Sequence, residues 1–176
     1  LHATEILKVT RDENLALITE SVEYLRAQGR RVFLDSEHFF DGYADDPDYA
    51  LATLEAALNA GAENVILCET NGGRLPHEVA AATQAVRERF PDAEVGIHTH
   101  NDSGCAVAST LAAVLEGASH VQGTVNGYGE RTGNANLCTV VPNLQLKMGC
   151  DVVPPEQLAT LTHVSHLVAE LANMAP

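Results

Sequence analysis

Four short apolar runs recur at a near-constant interval along this 176-residue chain, and that interval restricts its architecture more than any other feature. Arg31-Val32-Phe33-Leu34-Asp35, Asn64-Val65-Ile66-Leu67-Cys68, Glu94-Val95-Gly96-Ile97-His98 and a run from about His120 to Val125 each have the length and apolar content of a strand. They start near 31, 64, 94 and 119, so the repeat is 33, 30 and 25 residues. That is the pace of consecutive βα units whose strands lie parallel.

The intervening segments carry helix signals. Thr10 and Glu13 make a capping box ahead of Leu15, Ile18, Val22 and Leu25, and Gly29 suits the helix end. After the first strand a polar loop leads to Asp46-Pro47, which opens a second helix carried by Leu51, Leu54 and Leu58 to Gly61. A third helix is expected from Pro76 to Phe90, stopped by Pro91. Asp102 or Ser103 caps a fourth, bearing Val107, Leu111 and Val114 and ending at Gly117. A helical stretch from Asn134 is expected to kink or split at Pro142, and Leu158, Leu161, Val164 and Leu167 mark one last helix after Pro154-Pro155.

Two architectures use this pace: an open doubly wound sheet and a (β/α)8 barrel. Gly127, Gly129 and Gly133 are spaced GxGxxxG, one residue longer than the dinucleotide-binding loop of the former. A full barrel needs about 250 residues. Four strands, with the tail of a fifth at Leu1 to Ala3, amount to about half of one. Leu rather than Met at position 1, with no basic start or cleavage pattern after it, fits a fragment.

Ten Lys and Arg against 24 Asp and Glu give a formal charge of −14, which argues against nucleic acid as a partner. Hydrophobic residues, at 45%, suffice for a core, while no apolar run approaches the ~20 residues of a membrane helix. The expected location is the cytoplasm, with no membrane partner. Cys68, Cys105, Cys138 and Cys150 form no CxxC pair and read as reduced, mostly buried thiols.

Strand alternation selects the candidate site residues. In Glu94 to His100, the side chains of Gly96, His98 and His100 share one face, and Val95, Ile97 and Thr99 share the other. The apolar set faces the helices, so two imidazoles point inward at the C-terminal mouth, where barrel active sites lie. Two such rings can reach one divalent cation; the plain alternative is a pair of hydrogen-bonded histidines at a strand end. By the same rule Gln122, Thr124 and Asn126 face inward. Glu37 shares a face with Phe33 and Asp35 and serves either as acid, base or acceptor at the mouth or as a solvated loop carboxylate. Thr70 offers a hydroxyl at the next strand end or a turn hydrogen bond. His163 and His166, three apart on a helix, read as an exposed or partly packed face, His77 and His120 as structural, and Asp41 to Asp48 as a solvated loop and cap without EF-hand spacing.

Two longer motifs then coincide. His98-Thr99-His100-Asn101-Asp102 and Asn126-Gly-Tyr-Gly-Glu130-Arg131-Thr-Gly-Asn134, in this order and spacing, resemble the metal-site signatures of the DRE-TIM metallolyase superfamily, specifically its Claisen-condensing 2-isopropylmalate, homocitrate and citramalate synthases. Asp35 to Tyr43, Cys68 to His77 and Asn134 to Lys147 are most similar to the citramalate branch. The resemblance implies a partial TIM barrel, from the tail of strand 4 through strands 5–8. Residues 1–153 are then the C-terminal half of the catalytic barrel, and 154–176 a helix leading toward a C-terminal subdomain.

It also implies condensation of acetyl-CoA with pyruvate and water to citramalate and CoA, on a route to isoleucine. His98, His100 and Asn134 map onto metal ligands, the fourth, an aspartate, belonging to the absent first strand. Thr70 maps onto the substrate's carboxylate site; Glu37 and Glu130 map onto catalytic positions, Glu130 with Arg131 ordering the last loop. The implied cofactor is a divalent ion (Mn, Mg or Zn), with acetyl-CoA as co-substrate and a 2-oxo acid and a second subunit (homodimer) as partners. The family's proposed base lies in the C-terminal subdomain, so this segment alone is expected to be inactive. Isopropylmalate or homocitrate synthesis is the near alternative, and a non-catalytic metal-binding scaffold the alternative of another class.

Overall fold

A computed structural model of the chain describes residues 2–174. Four strands, β1 (Phe33–Ser36), β2 (Asn64–Glu69), β3 (Val95–Thr99) and β4 (His120–Gln122), pair in parallel in the order β1-β2-β3-β4. Helices α1 (Arg11–Ala27), α2 (Phe39–Asp45), α3 (Pro47–Asn59), α4 (Pro76–Arg89), α5 (Ala106–Leu115), α6 (Leu137–Leu146), α7 (Pro155–Leu158) and α8 (Leu161–Ala172) complete it. The fold is α/β with a parallel sheet. Among the described residues no helix is long and apolar enough to cross a membrane.

Side-chain parity divides the sheet. Val65, Leu67, Val95 and Ile97, all fully buried, pack with Val22, Leu54, Val79, Val86 and Ala113 from the helices into the main core. The other face carries Asp35, Ile66, Gly96 and His120 in one register row and Cys68, His98 and Gln122 in the next. It is strongly curled: side chains of the two edge strands meet, with Phe33 and His120 edge to face at 5.6 Å between ring centroids. Gly96 permits that curl. A Cβ there would sit 2.7 Å from Ile66 Cγ1 and 3.1 Å from His120 Cδ2.

The capping box at Thr10 and Glu13 and the Asp46 cap with Pro47 at the helix start are present as read. Other expectations need correction. The strand tail expected at 1–3 is absent in the described part, residue 1 lying outside it, because residues 2–6 close a single π-type turn. The "polar loop" after β1 contains α2, whose Phe39 and Phe40 are buried while its outer side is acidic. β4 stops at Gln122 because the chain beyond it pairs with its own return: Thr124 N–H donates to the Ala135 carbonyl (3.1 Å) and Leu137 N–H to the Thr124 carbonyl (2.9 Å).

Asn101, not Asp102 or Ser103, caps α5, its Oδ1 accepting from Ala106 N–H at 3.1 Å. α6 runs through Pro142 without splitting. The single last helix expected at 154–176 is two, α7 and α8, and residues 175–176 lie outside the described part. Cys68 is buried and Cys105, Cys138 and Cys150 are half-buried, all four as free thiols. His77, His163 and His166 are exposed, and His120 packs on Phe33.

Candidate metal centre

β3 delivers both imidazoles at its C-terminal end, and the loop after β4 brings a carboxamide to them. Asn134 Nδ2 lies 2.8 Å from His98 Nε2 and 3.5 Å from His100 Nε2. The two rings stack with centroids 5.2 Å apart and planes inclined at 26°. His100 and Asn134 are buried and His98 is half-buried. Backbone pairing holds the third group in place: residues 100 and 134 form an antiparallel bridge, and Ala135 N–H donates to the Thr99 carbonyl at 3.0 Å. Gly129 lies against Asn134 Oδ1, and any Cβ at 129 would collide with that oxygen.

The donor set fits a divalent cation. His98 Nδ1 is hydrogen-bonded to Gln122 Oε1 at 2.7 Å, which leaves Nε2 as its acceptor. His100 Nδ1 is buried with no hydrogen-bond partner, and its Nε2 has only the long 3.5 Å approach of Asn134, so the ring's bonding capacity is not spent within the described residues. Burial, with His98 and Arg131 nearby, holds His100 below the ordinary imidazole range, favouring the neutral form that binds metals. Among the described residues no three His, Cys, Asp or Glu side chains gather. The set is two imidazoles and an amide, and it lacks a carboxylate.

The loops around this cluster are tied to one another. Arg131, in the left-handed region with φ of 58°, pairs with Asp102 in a two-pronged contact (Nε to Oδ1 and Nη2 to Oδ2, both 2.9 Å). The same guanidinium donates to the Thr70 carbonyl at 2.6 Å. That hydrogen bonding holds the Asp102 carboxyl below its ordinary range. Gly72 abuts Asp102 so closely that no side chain fits, and Ser103 N–H donates to the Gly72 carbonyl at 2.9 Å. Glu69, buried, accepts from Gly73 N–H (3.2 Å) and Arg74 N–H (3.3 Å); burial pushes its carboxyl above the ordinary range despite those donors.

The remaining candidates stand apart from the cluster. Thr70 is buried and its Oγ1 accepts from His38 N–H at 2.9 Å, joining the ends of β1 and β2. Glu37 is exposed and lines a cavity of about 470 Å³ with Asp35, His38, Phe39 and Arg11; among the described residues no hydrogen bond or ion pair joins its carboxylate to the histidines. Glu130 is 81% exposed and 3.8 Å from Arg131. Burial first, then the carboxylates of Asp35 and Glu37, push the Cys68 thiol far up, so this inward cysteine is no nucleophile. Alternation found Gln122's inward direction but not its partners. The Arg131–Asp102 pair was missed, since Asp102 read as a helix cap and its true partner lies 29 residues away.

Residues 1–168 match the model of the family described as HMGL-like. The chain is 60% identical over 174 residues to the (R)-citramalate synthase of Aquifex aeolicus, covering 99% of this chain and 33% of that protein. It is 36% identical to the homocitrate synthase of Saccharolobus solfataricus, covering 99% of this chain and 36% of that one. The crystal structure of hydroxymethylglutaryl-CoA lyase from Pseudomonas aeruginosa superposes with a TM-score of 0.78 at 20% identity, over 99% of this chain and 60% of that chain. The chain thus spans about a third of the length of the curated relatives it matches. A match that runs from the first residue through most of α8, across all four strands and the His98–His100–Asn134 cluster, means that this chain belongs to the HMGL-like family.

Proposed function

We propose that this chain is the C-terminal half, strands 5–8, of the TIM barrel of a metal-dependent citramalate synthase, which joins acetyl-CoA to pyruvate and releases CoA. Residues 1–153 belong to the barrel and 154–176 lead toward a further subdomain. The observation that carries the reading is the convergence of His98 Nε2, His100 Nε2 and the Asn134 amide at the C-terminal end of a parallel strand. Helices packed on one face of the sheet, with a polar, curled face opposite, favour a barrel over a doubly wound sheet, which is covered on both faces.

His98, His100 and Asn134 would hold the cation (Mn, Mg or Zn), with a carboxylate supplied from outside this chain. Bound there, such an ion polarises the ketone of a 2-oxo acid. The chain's own residues supply position and charge. Thr70, whose hydroxyl already accepts from His38 N–H, has its proton free to donate to the oxo acid's carboxylate. Arg131, neutralised by Asp102, holds the Thr70 carbonyl and so fixes that hydroxyl relative to the β4 loop. Glu37, exposed at the mouth, acts beside the reacting carbons, and Glu130 borders the same loop. The acidic chain repels CoA at long range, so backbone N–H groups at the mouth provide the attraction. A homodimer is the assembly this reading expects.

Homocitrate synthesis is the second reading, favoured by the 36% relative but less than pyruvate condensation is by the 60% one. The test is release of CoA thiol from acetyl-CoA by the full-length protein with Mn or Mg and pyruvate, 2-oxoisovalerate or 2-oxoglutarate in turn. Pyruvate-dependent release is expected, with none from residues 1–176 alone. Release with another oxo acid moves the protein to a sister activity, and none with any acid overturns the condensation reading.

A further inference from the structure

Gln122, an inward side chain of β4, hydrogen-bonds to both β1 and β3. Its Nε2 donates to Asp35 Oδ1 on β1 at 3.0 Å, and its Oε1 lies 2.7 Å from His98 Nδ1 on β3. The direction of this chain of bonds is fixed by chemistry at each link. The amide nitrogen of Gln122 faces Asp35, whose Oδ1 accepts from it. The amide oxygen must then face His98, and an oxygen that only accepts requires the proton on His98 Nδ1. In a neutral ring the other nitrogen, Nε2, is then a lone pair. That nitrogen faces Asn134, whose Nδ2 lies 2.8 Å from it and can donate to it.

We infer that Gln122, held by Asp35, is a positioning residue that locks His98 in its Nδ1–H tautomer and keeps Nε2 open toward the Asn134 side of the site. The cation role of that nitrogen rests on the function proposed above; the tautomer lock does not. Asp35 lies one register row away from His98, on an edge strand, and never reaches the imidazole. Its charge acts through the amide, which delivers a fixed polarity to the ring. The first of these bonds ties β1 to β4 across the concave face, over 87 residues of sequence, and the second ties β4 to β3. Among the described residues His100 has no such partner at Nδ1, so the two imidazoles are not equivalent: one has its tautomer set by a hydrogen bond, the other is held by burial and by stacking on His98.

The test uses the full-length, chelator-treated protein, 15N-labelled at histidine, with the His98 signals assigned by their loss in His98→Gln. Long-range 1H–15N spectra are expected to show Nδ1 protonated and Nε2 bare in the unaltered protein. In Gln122→Leu the two tautomers should mix, and Mn²⁺ affinity by calorimetry should fall about 10- to 100-fold. Asp35→Asn, whose carbonyl oxygen still accepts from Gln122, should keep the tautomer, whereas Asp35→Leu should lose it. If Gln122→Leu lacks a native circular dichroism spectrum, the Asp35 pair carries the same comparison with Gln122 and His98 in place. A proton on Nε2 in the unaltered protein, or an unchanged tautomer in both leucine variants, overturns the lock. A tautomer that responds as expected in a protein that binds no Mn²⁺ supports the lock and overturns the metal reading instead.

Discussion

β3 and β1 belong to one sheet and both end at the mouth, yet they treat their candidate residues differently. β3 has a hydrogen-bonded neighbour on each side, and all of it except His98 is buried. Its His98 and the His100 just past its end are stacked on each other and met by Asn134. β1 has a neighbour on one side only; Phe33 is 41% exposed and Asp35 and Glu37 are exposed. A side chain on the central strand has its direction set by the rows beside it. One on the edge is directed only by whatever covers the edge.

The largest effect should separate the two strands by function. In the full-length protein, His100→Ala is expected to abolish Mn²⁺ binding and CoA release together. Glu37→Gln should leave Mn²⁺ binding intact while lowering kcat. Calorimetry beside the thiol assay decides it, and loss of metal in Glu37→Gln would place that carboxylate in the cluster and erase the contrast.

Stability should follow the same division. Ile97→Ala, which empties a fully buried position of β3, is expected to cost about 2–5 kcal/mol in urea unfolding. Phe33→Ala, at the exposed edge, should cost roughly 1 kcal/mol or less in the 176-residue chain. Its cost should rise in the full-length protein if further barrel strands cover β1. Equal losses in both contexts would show that the edge is already covered.

The smallest effect concerns the loops. Asp102 has its carboxyl held below the ordinary value of 3.8 by Arg131, so its contribution is present above that value and is lost as pH falls through its lower folded pKa. Asp102→Asn should therefore lower the melting temperature at neutral pH, with the gap closing only in acid below 3.8. A gap that persists unchanged at low pH would mean that the asparagine disturbs packing against Gly72 rather than the ion pair.

Much of the frame was legible because it is local. Parallel βα units announce themselves by apolar runs and caps a few residues long, and the Thr10–Glu13 box and the Asp46-Pro47 start required no tertiary information. Parity put His98 and His100 on one face without reference to any partner, and the family motif supplied Asn134. What was not legible is non-local or short. α2 is seven residues with a glycine and two aspartates, and only the burial of Phe39 and Phe40 explains it. Asp102 satisfies every local rule for a helix cap, yet a guanidinium 29 residues on claims it, and Asn101 caps the helix instead. Gln122 was seen to face inward, but that it joins Asp35 to His98 follows from the curl of the sheet, which no strand encodes alone.

The bridge between residues 100 and 134 also governs when the cluster can come into being. It closes a ring of chain that contains α5, β4 and the glycine-rich loop, and the third donor lies 34 residues beyond the second histidine. As the chain leaves the ribosome the two imidazoles appear early and stay without their amide until that whole ring has emerged and packed. Closing that ring requires the whole intervening segment to be in place, and a cation that prefers the closed ring would slow its reopening. The centre would then act as a latch on the second half of the sheet, recording that folding there is complete.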